Sequence, residues 1–66
     1  MDIKELDVVV LNTDLPDDGL HVGDIGTVVH IFHRPYTAYE IEFTDEDGRT
    51  IAIVTLTADR FKVASQ

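Results

Sequence analysis

Thirteen carboxylates and three histidines are the side chains best equipped for chemistry in this 66-residue chain, which has no cysteine. Acid and base catalysis needs a carboxyl whose pKa is raised by burial or by a close like charge inside a cleft. The spacing here points elsewhere. Glu40 and Glu42 alternate with Tyr39, Ile41 and Phe43, which puts both on the exposed face of a strand, while Asp45, Glu46 and Asp47 crowd a turn tip. That turn lacks the spaced oxygen ligands and the closing bidentate Glu of a calcium loop. His30 and His33 are three apart, so a regular strand sends them to opposite faces. With His21 they could share a metal only if the strand ends or bulges at Phe32; surface or barrel-rim histidines are the simpler reading. The one serine, Ser65, sits in the carboxyl-terminal tail and suggests no Ser/His/Asp constellation. After Gly23 and Gly26 there is neither the lysine nor the helix of a phosphate cradle, so these glycines serve backbone geometry at a strand entrance. No catalytic residue, cofactor or metal site is expected, and the chain reads as a non-enzyme.

The elements that carry these side chains are strands. Residues 7–11 hold the run Val8-Val9-Val10-Leu11, which predicts a first strand covered on both faces, and Ile3 with Leu6 suggests a short helical turn before it. Residues 12–24 contain Pro16, Gly19, Gly23 and four aspartates, Asp14, Asp17, Asp18 and Asp24, which predict a long acidic loop. Leu15, Leu20 and Val22 are expected to peg that loop to the core. Residues 25–32 form a second strand, with Thr27, Val29 and Ile31 on one face and Val28, His30 and Phe32 on the other. A break at residues 33–36 precedes the cleanest alternation in the chain, residues 39–43, with Tyr39, Ile41 and Phe43 inward. Residues 44–48 then suit a short hairpin closed by a glycine bulge. Residues 50–56 make a fourth strand, with Ile51 and Ile53 facing one way and Ala52, Val54 and Leu56 the other. A single 3₁₀ turn over residues 57–60 leads into a short fifth strand at 61–63. This order predicts an all-β fold: a small five-stranded SH3-like barrel with a long acidic loop after strand 1 and a 3₁₀ turn before the last strand.

Composition narrows the partners. A chain of this length forms one domain, residues 1–66, with a small core that buries about 60 % of the unfolded surface and no disulfide to brace it. Thirteen Asp and Glu against five Lys and Arg give a formal charge of −8, which repels phosphate backbones and anionic lipid and favours basic partners. Nucleic acid needs clustered cations and stacking aromatics; only the corner of Arg34, Tyr36 and Tyr39 offers both, and that corner either lines a groove or packs against the barrel. No apolar run approaches the roughly 18 residues that cross a bilayer, and the amino end lacks the charged region, apolar stretch and cleavage site of a signal peptide, so a cytoplasmic protein is expected.

Two resemblances attach to named residues. Gly23-Asp24-Ile25-Gly26-Thr27-Val28-Val29 resembles the KOW-type turn of translation and transcription proteins that share the barrel fold. Over the whole chain, Glu5 to Leu11, Asp14-Leu15-Pro16, Gly19-Leu20, the same Gly23 to Val29 stretch, Tyr39 to Phe43 and Asp47-Gly48-Arg49-Thr50 resemble a small bacterial family known as domain of unknown function 4926. That resemblance implies a fold and brings no activity or catalytic residue with it. The functional expectation is therefore a protein-interaction module, a regulator or an antitoxin-like or immunity-like inhibitor of a basic partner protein. Its expected contact residues are Asp14, Asp17, Asp18 and Asp24 of the acidic loop, Tyr36 of the corner, and Ala52 and Val54 of a fourth strand that is apolar on both faces. Another subunit in a homo-oligomer or the chain itself are the other ways to cover that strand. The alternative function is a KOW-like nucleic-acid-associated module acting with a larger basic protein.

Overall fold

Among the described residues, runs of branched apolar side chains extend the backbone into five strands: β1 (Val8–Leu11), β2 (Ile25–Phe32), β3 (Ala38–Thr44), β4 (Thr50–Leu56) and β5 (Phe61–Val63). The computed structural model describes residues 2–64, so Met1 and the serine at 65 lie outside the described residues. Short 3₁₀ turns occupy Pro16–Asp18 in the loop after β1 and Ala58–Arg60 immediately before β5. All neighbouring strands are antiparallel, in the order β4-β3-β2-β1-β5. This is the expected all-β, SH3-like arrangement, and its sheet curls without closing: β4 and β5 remain as edges. The curl brings Phe61 of β5 edge-on against Tyr39 of β3, ring centroids 5.5 Å apart.

A single curled sheet has one concave face in which to bury apolar groups. Val9, Leu11, Leu20, Val28, Ile41, Phe43, Leu56 and Phe61 fill it as one cluster, to which every strand contributes. Full burial of each such side chain is worth about 1.5–3 kcal/mol. The one-sided core corrects the reading of β1, whose burial alternates, leaving Val8 39 % exposed where cover on both faces was expected.

Two bulges correct the expected strand faces. Val28 pairs with Ile41 and His30 with Glu40, so Val29 is an extra residue in β2. The core side switches there from Gly26 and Val28 to Ile31, and His30 and Phe32 turn outward together, their rings in edge contact at 4.6 Å. In β4, Ala52 pairs with Phe43 and Thr50 with Thr44, so Ile51 is the extra residue and no longer shares a face with Ile53.

The amino-terminal turn is also tighter than the expected helical one. The Asp7 amide donates to the Lys4 carbonyl at 3.1 Å, and Leu6, at φ 74°, donates its amide to the Val28 carbonyl at 2.7 Å. Ile3 packs on the core while Leu6 is 76 % exposed.

At Gly26 a side chain would collide with β3. A Cβ there would lie 2.7 Å from Ile41 Cγ2, 2.8 Å from Phe43 Cε2 and 3.0 Å from the Glu42 carbonyl oxygen. The absent side chain is space that the core uses. Gly26→Ala is therefore expected to lower stability by about 1–3 kcal/mol, read as a fall in the urea midpoint at constant slope. Leu6→Gly should act in the opposite sense, raising stability by up to about 1 kcal/mol, because it relieves a left-handed backbone and gives up an exposed side chain. An unchanged midpoint in either variant would contradict the assigned constraint.

Candidate protein-docking surface

The acidic loop is held in shape by its own carboxylates and by Leu15 and Leu20. Leu15 and Leu20 bridge each other through backbone hydrogen bonds of 2.9 and 3.1 Å, Pro16–Asp18 makes the turn between them, and Gly19 at φ 71° closes it. Leu20 is then driven into the core at 1 % exposure and Leu15 packs beside it, whereas Val22, expected as a third peg, is 58 % exposed. Asp14 Oδ1 accepts the Val22 amide at 2.9 Å and Asp24 Oδ2 accepts the His21 amide at 2.8 Å. Two of the four loop aspartates thus shape the loop, and Asp17 and Asp18 project from it exposed.

The β3–β4 hairpin lies beside this loop. Asp45 Oδ1 accepts the amides of Asp47 and Arg49, both at 2.9 Å, and Gly48 takes φ 83°, so that carboxylate is engaged by its own turn. Glu46 and Asp47 stand exposed at the tip. Between loop and hairpin is a shallow hollow of about 110 Å³ bordered by Leu20, Asp24, Ile25, Phe43, Thr44 and Ile51. Ile25 and Ile51, 62 % and 58 % exposed, form its apolar lip. A pair of exposed isoleucines set between two acidic segments offers an apolar contact inside a negative field.

The remaining expected contact residues scatter. Tyr36 is exposed and borders a second hollow, of about 180 Å³, with Phe32, Arg34, Pro35, Ala38 and Thr55. Its expected companion Tyr39 points the other way, onto Phe61, so the aromatic corner is divided between surface and core. Ala52 and Val54 lie on the inner side of β4, half-buried against the core, and the exposed apolar residue on the opposite side is Ile53, in register with Glu42. Ile25 carried a signal that the strand reading passed over: a large apolar residue directly after the loop's last aspartate, at a strand start where little can cover it.

The histidines lie apart. His21 Nδ1 is 3.9 Å from Asp24 Oδ2 and His30 Nδ1 is 4.0 Å from Glu5 Oε2, and among the described residues no three His, Asp or Glu side chains converge as metal ligands. One carboxyl has a shifted affinity for its proton. The Thr57 hydroxyl donates to Asp59 and holds its pKa below 3.8, aided by the Asp59 backbone amide and by the Arg60 guanidinium 3.8 Å away.

An all-β sheet of SH3-like topology with a long acidic loop over its open end is the class that fold and surface define. Residues 5–63 match the family described as Domain of unknown function (DUF4926), and the chain belongs to that family. No curated protein and no solved structure matches it.

The Asp59 geometry gives a pH dependence with a definite sign. A carboxyl whose folded pKa is depressed stabilises the fold above its unfolded value and loses that contribution as pH falls below about 3.8 towards the folded pKa. Thr57→Val removes the first cause and is expected to return the Asp59 pKa towards 3.8 in a carboxyl NMR titration, and an unmoved titration would show that the hydroxyl does not set it.

Proposed function

We propose that this chain is a non-enzymatic protein-interaction module that engages a basic partner protein and thereby regulates or inhibits it. The observation that carries the reading is the exposed Ile25 and Ile51 pair beside Asp24, between the acidic loop and the acidic hairpin. Charge and apolar surface do different work in such a contact. The formal −8 speeds the approach of a cationic surface and discourages anionic ones, while buried isoleucine supplies most of the lasting affinity. The division of the Tyr36 and Tyr39 corner leaves few exposed aromatics for stacking nucleobases, which weighs against direct nucleic-acid binding.

Capture from native extract with the full chain tests the reading. A stoichiometric basic protein is expected to survive nuclease treatment, to be released by rising salt, and to bind roughly tenfold more weakly to Ile25→Ser or Ile51→Ser, since losing an apolar anchor typically costs more than about 1 kcal/mol. Recovery that disappears with nuclease would point to a nucleic-acid-associated role instead.

A further inference from the structure

β4 is an edge strand without the usual protection. Among the described residues it pairs with β3 alone, so alternate backbone N–H and C=O groups on its far side have no partner within that sheet. Natural edges are blunted by shortness, by charge or by proline. The other edge, β5, is three residues long and carries Lys62, whereas β4 runs seven residues with the sequence TIAIVTL, containing no charge and no proline. Its one irregularity, the bulge at Ile51, lies near the start and leaves Ala52 to Leu56 in regular register with β3. Ile53 is 54 % exposed on the outer side, and Ala52 and Val54 are only half-covered on the inner side.

We infer that β4 accepts an extended basic segment of a partner protein as a sixth, added strand. Charge selects this occupant. Glu42 is in register with Ile53 and Glu40 with Thr55 on the outer face, Asp45, Glu46 and Asp47 lie beyond the start of the strand, and neither β3 nor β4 contains a cation. A second copy of the chain would bring its own Glu40 and Glu42 and a further formal −8 to the same edge. A lysine or arginine directed outward from an added strand reaches across Ile53 and Thr55 towards those glutamates. Residues directed inward meet Ala52 and Val54 and need to be apolar, so the partner segment alternates basic with aliphatic residues. At the two ends of the edge it meets the hollows that include Ile51 and Thr55.

This inference rests on the reading of a basic protein partner and adds where and how the partner binds. The probe is a synthetic nine-residue peptide, on the order of one strand in length, alternating lysine and valine, with a glutamate and valine peptide as control. Added to the full chain, the lysine peptide is expected to slow hydrogen exchange at alternate β4 amides roughly tenfold, with salt weakening the effect, and the glutamate peptide to leave β4 unchanged. Ile53→Lys, at an exposed position and checked for folding by circular dichroism, should weaken the lysine peptide about tenfold. Unprotected β4 amides at about 1 mM lysine peptide, or equal protection by both peptides, would overturn strand addition. Protection that needs no peptide and rises with protein concentration would overturn it in favour of a second copy. The two readings fail separately: a captured basic protein that Ile25→Ser releases and Ile53→Lys retains removes the added strand and keeps the partner.

Discussion

At Gly26 the missing side chain leaves room against β3, and the side chains of Ile41 and Phe43 fill it. Because Gly26 pairs with Val9 on one side and Phe43 on the other, the close approach is made at the middle of the sheet, where β1, β2 and β3 must all bend around the same core. A larger residue would push β3 outward and open the concave face that every strand shares. The bulge at Val29 completes the same device further along β2, turning the strand so that Ile31 continues the buried side that Gly26 and Val28 began. One small core is thereby filled from a single curled layer, with no cysteine to supply the disulfide that chains of this size often use.

Strand positions were legible because they depend on local pattern. The alternation from Tyr39 to Phe43, the glycine-closed turn at Gly48 and the 3₁₀ turn before Phe61 all arise from residue types within a few positions of one another. The faces of β2 and β4 were not legible past the bulges. An extra residue in a ladder leaves no mark in a run such as Gly-Thr-Val-Val-His-Ile, where every candidate is compatible with extended backbone, and only the partner strand decides which one is left over. The same limit explains the surface. Ala52 and Val54 look as exposed as Ile51 and Ile53 in a strand that is apolar throughout, until register with β3 assigns each a side.

The aspartates of the long loop show how one residue type serves two ends. Asp14 and Asp24 accept backbone amides that the turns would otherwise leave unpaired, and a neutral loop could use asparagine or serine there. Asp17 and Asp18 make no such contribution and add only field. Leu20 couples the loop to the core: its burial anchors the loop beside the hollow where Asp24 meets the exposed Ile25 and Ile51.

Charge also bears on the edge that the core leaves open. A chain this small forgoes about 1.5–3 kcal/mol for each large aliphatic group it fails to bury, and it leaves Ile25, Ile51 and Ile53 more than half exposed. Such a surface beside an unprotected edge strand invites copies of the chain to pair. The carboxylates of Glu40, Glu42 and the hairpin oppose that pairing without occupying the edge, because they repel a like-charged copy and attract a cationic segment. Protection by proline or by a lysine within β4 would have closed the edge to every comer. Surrounding acid leaves it open selectively, repelling a like-charged strand while attracting a cationic one.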